Sequence, residues 1–213
     1  MQFGVDEAGK GPVLGSMFAA AVRADPDHLP DGVGDSKALT ERRREELAAR
    51  LRADDRIAVG VAEIPPARID DPETDMNTLT VAAQAEALAG VVRDGDRGIV
   101  DAGDTDADRF GRRVADRLDT AVDLTAEHGA DETDPLVGAA SIVAKVERDA
   151  HVAAIGEREG PAVGSGYPSD PTTREFLADY VAAHGRLPDC ARESWATSED
   201  VLAAAEQASL DEF

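Results

Sequence analysis

Residues 2–8 read Q-F-G-V-D-E-A, residues 9–12 read G-K-G-P, and residues 13–22 read V-L-G-S-M-F-A-A-A-V. The first run is short and apolar up to its two acids. The second is a glycine turn, and the third is a longer β-like run. The pattern predicts strands over 2–6 and 13–22 joined as a hairpin, with Asp6 and Glu7 where the first strand meets the turn. Neighbouring residues of a strand point to opposite faces. Asp6 and Glu7 can therefore share one site only if the strand is ending there, or if Glu7 contributes its backbone carbonyl.

Further along, Thr40 is placed to cap a helix over 40–52, with Leu47 and Leu51 four apart. Residues 57–64 (I-A-V-G-V-A-E-I) predict a strand. Residues 76–92 predict a helix with Leu79, Ala83, Ala87 and Val91 on one stripe. G-I-V-D-A at 98–102 reads as a short buried strand, 106–118 as a polar helix and 120–127 as another strand. Asp134 and Pro135 suit the cap and first turn of a helix running to about residue 156. A Gly/Pro-rich loop from Gly160 to Pro171 precedes helices over 172–183 and 198–208. Strands come first and helices alternate later, which predicts a mixed α/β sheet.

The length of 213 residues suits one main domain with an adequate core. The expected division is a catalytic domain over 1–197 and a terminal helix with a tail over 198–213. A single cysteine, Cys190, excludes an internal disulfide and a cysteine-based zinc site. No apolar run approaches the ~20 residues of a spanning helix. The first residues carry no basic-then-apolar leader, so a cytoplasmic location without membrane association is expected.

Acids number 44 against 22 lysines and arginines, a net charge of -22 spread along the chain. Only three of those cations are lysines: Lys10, Lys37 and Lys145. The composition fits either a halophile's hydrated carboxylate surface or an acidic, GC-rich mesophile. If lysine has been stripped from the surface, the three that remain should have functions.

Two predicted strands end in acids, Asp6-Glu7 and Asp101, and Asp131 follows a third. Strand ends beside glycine turns are where α/β sheets place chemistry. Carboxylates converging there repel unless protonated or metal-bound, and oxygen-only ligands suit Mg2+ or Mn2+. A single strand-end Asp is more often a loop cap, and a chain with this many acids places some there by chance. Gly4 to Lys10 fits G-x-x-x-x-G-K, but Gly11 replaces Ser or Thr, no helix follows, and Asp6 and Glu7 would repel a phosphate. Gly9-Lys10-Gly11 can still let backbone and one charge approach a phosphodiester. Ser141 and Lys145 lie four apart on the 135–156 helix, and Ser36-Lys37 precedes a helix start. Each pair is equally readable as a solvated surface or as a phosphate contact.

Taken together, these stretches resemble ribonuclease HII. The resemblance rests on V-D-E-A-G-K-G-P-V-L-G at 5–15, D-S-K-A-L at 35–39, V-D-A at 100–102 and A-D at 130–131. It rests also on A-A-S-I-V-A-K-V-E-R-D at 139–149, G-S-G-Y-P-S-D at 164–170 and S-W-A-T at 194–197, the last two as in archaeal members. It implies a ribonuclease H-like α/β fold: a five-stranded mixed sheet flanked by helices, with additional C-terminal helices. It implies an endonuclease that hydrolyses the RNA strand of RNA–DNA hybrids, or cuts at single ribonucleotides in DNA. Cleavage would fall 5′ to the ribonucleotide, assisted by one or two Mg2+ or Mn2+ ions, leaving 3′-OH and 5′-phosphate.

Carried over by motif, Asp6, Glu7, Asp101 and Asp131 would be the catalytic and metal-site acids. Gly9, Lys10, Gly11, Ser36, Lys37, Ser141 and Lys145 would contact substrate backbone. Tyr167 would sense the 2′-OH, the chemical mark of one ribonucleotide within DNA. All three lysines thus fall inside family motifs. Gln207, Leu210 and Phe213 fit Q-x-x-L-x-x-F, resembling the peptide that replication sliding clamps bind; a frayed helix end reads equally well. A junction resolvase of the same fold, or a non-catalytic hybrid-binding module, are the competing readings.

A protein of charge -22 must here bind a polyanion. At about 1 M salt the Debye length is about 3 Å, so distant charges hardly act while contact pairs survive better. Cleavage of a ribonucleotide-containing duplex, assayed across KCl concentrations, is expected to persist or rise toward molar salt. A sharp loss over that range would contradict this.

Overall fold

The computed structural model of the chain describes residues 1–33, 39–160 and 163–211, with side chains through residue 207. Five strands form one sheet: β1 (Gln2–Ala8), β2 (Met17–Ala24), β3 (Ala58–Ile64), β4 (Arg97–Asp101) and β5 (Asp123–Glu127). Their order is β3-β2-β1-β4-β5. β1 is antiparallel to β2 and parallel to β4, and β4 is parallel to β5. The expected mixed α/β sheet is therefore present. The helices are α1 (Glu41–Ala53), α2 (Pro66–Ile69), α3 (Met76–Ala89), α4 (Ala107–Ala115), α5 (Pro135–Glu159), α6 (Pro171–His184) and α7 (Ala196–Asp211). None among the described residues is long and apolar enough to cross a membrane.

The chain divides into two compact units. The first comprises Met1–Lys10, Met17–Glu63 and Asp75–Arg148, and so holds the sheet up to the last residue of β3, with α1, α3, α4 and the first part of α5. Alternation along β1 sends Gly4 and Asp6 to one face of the sheet and Phe3, Val5 and Glu7 to the other. On the first face Ala20 and Val22 of β2 pack with Leu47 and Leu51 of α1 and Leu136, Ile142 and Val143 of α5. Gly4 is required there, because a Cβ on it would lie 2.2 Å from the backbone nitrogen of Val137. On the opposite face α3 lies over β1 and β2, where Thr80 reaches the sulfur of Met17 at 3.9 Å, and α4 lies over β5.

Short polar side chains start these helices by accepting backbone N–H groups that have no partner inside the helix. Thr40 accepts from Arg43 N, Asp75 from Thr78 N, and Asp106 from Arg109 N. Asp134 accepts from Leu136 N and Val137 N at the head of α5, with Pro135 in the first turn as expected.

The second unit comprises Gly11–Ser16, Ile64–Thr74 and the chain from Asp149 onward. Val13, Leu14, Ile155, Phe176, Leu177 and Val181 form its core. Arg192 is fully buried, donates from Nε to the Gly15 carbonyl at 2.9 Å and stacks over Trp195. Here the expectation of one strand over 13–22 is corrected. The strand begins at Met17, because Gly15 takes a left-handed backbone (φ 76°). Val13 N and Leu14 N are drawn to the Gly166 carbonyl, and Gly15 N to that of Cys190. The helix expected over 76–92 stops at Ala89, although Val91 and Val92 are buried beyond it.

Candidate active site

The β1–β4 ladder pairs Gln2 with Arg97 through Val5 with Val100 and then stops. The next residues on the two strands are Asp6 and Asp101, side by side on the α5 face. β1 itself continues against β2 to Ala8, with Asp6 opposite Ala20 and Glu7 opposite Ala19. The strand therefore does not end at the acids, and their side chains go to opposite faces.

Asp6 is buried, 6% exposed. Burial pushes its carboxyl up to about 6. A hydrogen bond from Ser141 opposes that rise, and the neighbouring Asp101 charge adds to it. Ser141 is fully buried on α5; its hydroxyl receives the Lys145 ammonium at 2.6 Å. A chain of donors thus runs from Lys145 through Ser141 to Asp6. Lys145 is the partly exposed member of it.

Asp101 is also held above the ordinary carboxylate range, first by burial and then by the charge of Asp131, against hydrogen bonds from the backbone of Ala130 and Gly129. Ala130 N donates to its Oδ1 at 2.8 Å. Asp131 follows on a short 3-10 turn (Ala130–Glu132) after β5 and is 6% exposed. Gly129 starts that turn with a left-handed backbone, φ 65°. The turn brings Asp131 within electrostatic reach of Asp101.

Glu7 turns toward α3. Its enclosed carboxyl is pushed up to about 8, first by burial and then by the Asp6 charge, against a hydrogen bond from Gln84. Gln84 Nε2 donates to Glu7 Oε2 at 2.7 Å. Lys10 sits on this side, donating to Asn77 Oδ1 at 3.1 Å and to the Gly103 carbonyl at 2.5 Å. Its charge favours the ionised form of Glu7. Gly103 permits this closeness, since a Cβ there would meet the Thr80 methyl at 2.8 Å and Glu7 Oε1 at 3.2 Å. The sheet end is thus flanked by Lys145 beside Asp6 and Lys10 beside Glu7.

Of the other expected site residues, Gly9 bends the chain at φ 88°. Gly11 and Tyr167 belong to the second unit, where Tyr167 is 46% exposed and Trp195 donates to the Gly11 carbonyl. Gln207 is exposed on α7. Ser36 and Lys37 lie outside the described residues, as do Phe213 and the side chain of Leu210. Gln84 and Asn77 were not anticipated. A signal existed for Gln84: with Thr80 it forms a polar i, i+4 pair inside an otherwise apolar helix face, and both are fully buried.

Among the described residues no three His, Cys, Asp or Glu side chains form a ready-made metal cage. The donor set nevertheless suits a hard divalent cation. It is all oxygen, and the acids are raised by burial and mutual repulsion that a cation would relieve. Mg2+-type ions keep several waters and use one or two carboxylates together with substrate phosphates, so a closed protein cage is not required.

The ribonuclease HII family model matches residues 3–198. This chain belongs to the ribonuclease HII family. It is 70% identical to ribonuclease HII of Haloarcula marismortui over 213 residues, covering all of both chains. Its fold is similar to the crystal structure of ribonuclease H2 from Pyrococcus horikoshii, with TM-score 0.88 and 34% identity, covering 97% of this chain and 99% of that one. It is similar also to the Archaeoglobus fulgidus protein in a PCNA:RNase HII complex, with TM-score 0.81 and 39% identity, covering 92% and 95%. The family consists of metal-dependent endonucleases that cleave RNA in RNA–DNA hybrids.

The raised carboxyls set a pH signature. Below about pH 3 these groups are neutral in both folded and unfolded chains and cost no stability. As pH rises toward 8 the unfolded chain ionises freely while folded Asp6 and Glu7, at about 6 and 8, resist, so stability falls. Melting in EDTA is expected to show a midpoint that declines from pH 5 to 9, and Mn2+ is expected to raise it more at pH 8 than at pH 5. Glu7→Gln should flatten the decline in EDTA.

Proposed function

We propose that the chain cuts the RNA strand of RNA–DNA hybrids, and single ribonucleotides in duplex DNA, on the 5′ side of the ribonucleotide. The observation that carries this is the meeting of Asp6 and Asp101 where the β1–β4 ladder stops, with Asp131 beside Asp101. Asp6, Asp101 and Asp131 would offer carboxylate oxygens to one or two Mg2+ or Mn2+ ions, and Glu7 its backbone carbonyl. When bound, such ions lower the pKa of a water and stabilise the departing 3′ oxygen, leaving 3′-OH and 5′-phosphate.

The chain's own groups do the remaining work. Lys145, held by Ser141, and Lys10, held by Asn77 and Gly103, provide ammonium groups for the phosphates on either side of the scissile bond. Gly9 and Gly11 let the backbone come close to the substrate, and Ser36 and Lys37 add phosphate contacts. Tyr167, exposed, packs on the sugar and reads its 2′-OH.

A duplex with one ribonucleotide separates this reading from a junction resolvase, which would prefer an all-DNA junction, and from a binding module, which yields no product. Asp101→Asn is expected to lower the cleavage rate by more than about 100-fold, since loss of a direct ligand should cost at least as much as loss of its outer support. Near wild-type cleavage by Asp101→Asn would refute the assignment.

The C-terminal tail supports a second contact. Gln207, Leu210 and Phe213 would present a glutamine and two apolar anchors to a pocket of a replication sliding clamp. The Archaeoglobus fulgidus relative, solved in complex with PCNA, supports that choice of partner. Deleting the last seven residues is expected to abolish capture by the clamp in a pull-down while cleavage continues; unchanged capture would exclude the tail.

A further inference from the structure

Gln84 lies in the middle of α3 and is fully buried. Its Nε2 donates twice: to the side chain of Glu7 on β1 at 2.7 Å and to the backbone carbonyl of Asp101 on β4 at 2.9 Å. These are the two strands whose mutual ladder has just stopped, at Val5 and Val100. One amide group therefore spans β1 and β4 where main-chain hydrogen bonds no longer do, beside two carboxylates that push the strands apart.

The orientation of the amide is determined by its neighbours. The Asp101 backbone carbonyl can only accept, so turning the amide over would place its oxygen against that acceptor and lose the bond between the strands. In the orientation found, Oε1 is buried with no hydrogen-bond partner among the described residues. A buried amide oxygen left this way is costly, and a methionine of similar size would avoid the cost. Glutamine at this position is therefore poorly explained by packing. It is well explained by the two acceptors it joins.

We propose that Gln84 is a positioning residue of the active site: its amide clasps β1 to β4 and so sets the separation of Asp6 and Asp101. The inference rests on the carboxylate site proposed above. Gln84 touches neither substrate nor reacting atoms; it acts through the strands that carry them.

The test is Mn2+ affinity of the full-length chain, read by electron paramagnetic resonance of unbound Mn2+ in high salt, well below each variant's melting midpoint. Outer supports of metal ligands contribute about 10- to 100-fold in affinity. Gln84→Met, which keeps volume and loses both bonds, is expected to weaken Mn2+ by that factor, with cleavage recovering at raised Mn2+. Gln84→Asn keeps the amide one methylene shorter and is expected to weaken it less; it also decides the matter if the Met variant does not fold. Asp101→Asn is measured in parallel. Wild-type affinity in both Gln84 variants, with Asp101→Asn weakened, overturns the clasp alone. Wild-type affinity in Asp101→Asn overturns the carboxylate site and the clasp with it.

Discussion

The site depends on holding like charges together where a sheet comes apart. Parallel pairing of β1 with β4 ends one residue before Asp6 and Asp101 become neighbours. Each backbone hydrogen bond up to that point fixes the strand spacing, and the repulsion begins where those bonds end. The surrounding groups work against that repulsion. Ala130 N donates to Asp101, Ser141 donates to Asp6, and Gln84 bridges to the Asp101 carbonyl. None of these neutralises the acids. Burial and mutual charge still hold Asp6, Glu7 and Asp101 above their ordinary range. A fold that leaves buried acids in this condition sacrifices stability for a place where a cation is strongly favoured.

Strand alternation then divides the work between two layers. Asp6 and Asp101 face α5, and Glu7 faces α3. Each layer supplies one lysine, Lys145 beside Asp6 and Lys10 beside Glu7. Because Glu7 turns from the aspartates, its carboxylate is bound up in the contact with Gln84, and its main chain is the part nearer the aspartate face. Under the function proposed, Glu7 would serve the site with its backbone and the scaffold with its side chain.

Much of this was legible because glycine and acid positions carry strong local signals. Strand-end acids beside G-K-G, the cap at Thr40 and the Asp134-Pro135 helix start all rest on chemistry within a few residues. The reading failed where partners distant in sequence decide. Val13 and Leu14 look like the start of β2, but their N–H groups go to Gly166, over 150 residues on, and Gly15 breaks the strand. The stripe of Leu79, Ala83 and Ala87 was visible as apolar periodicity, and all three are buried. Gln84 beside them was not assigned, since nothing in the local sequence says that two acceptors from β1 and β4 await it.

The same geometry shows where two of the three lysines are used. With 22 cations against 44 acids and only three of them lysine, most cationic contacts fall to arginine. Arg23 against Asp96 is such a case, with Nε and a terminal nitrogen on the two carboxylate oxygens. Lys10 and Lys145 meet a different demand. Lys10 directs a compact ammonium at two carbonyl-type acceptors from separate elements, and Lys145 reaches one hydroxyl behind an aspartate. A compact ammonium with rotatable donors suits such a place. Where salt screens all but contact distances, cations held beside buried carboxylates, as Lys145 is beside Asp6 and Lys10 beside Glu7, are those whose charge still acts.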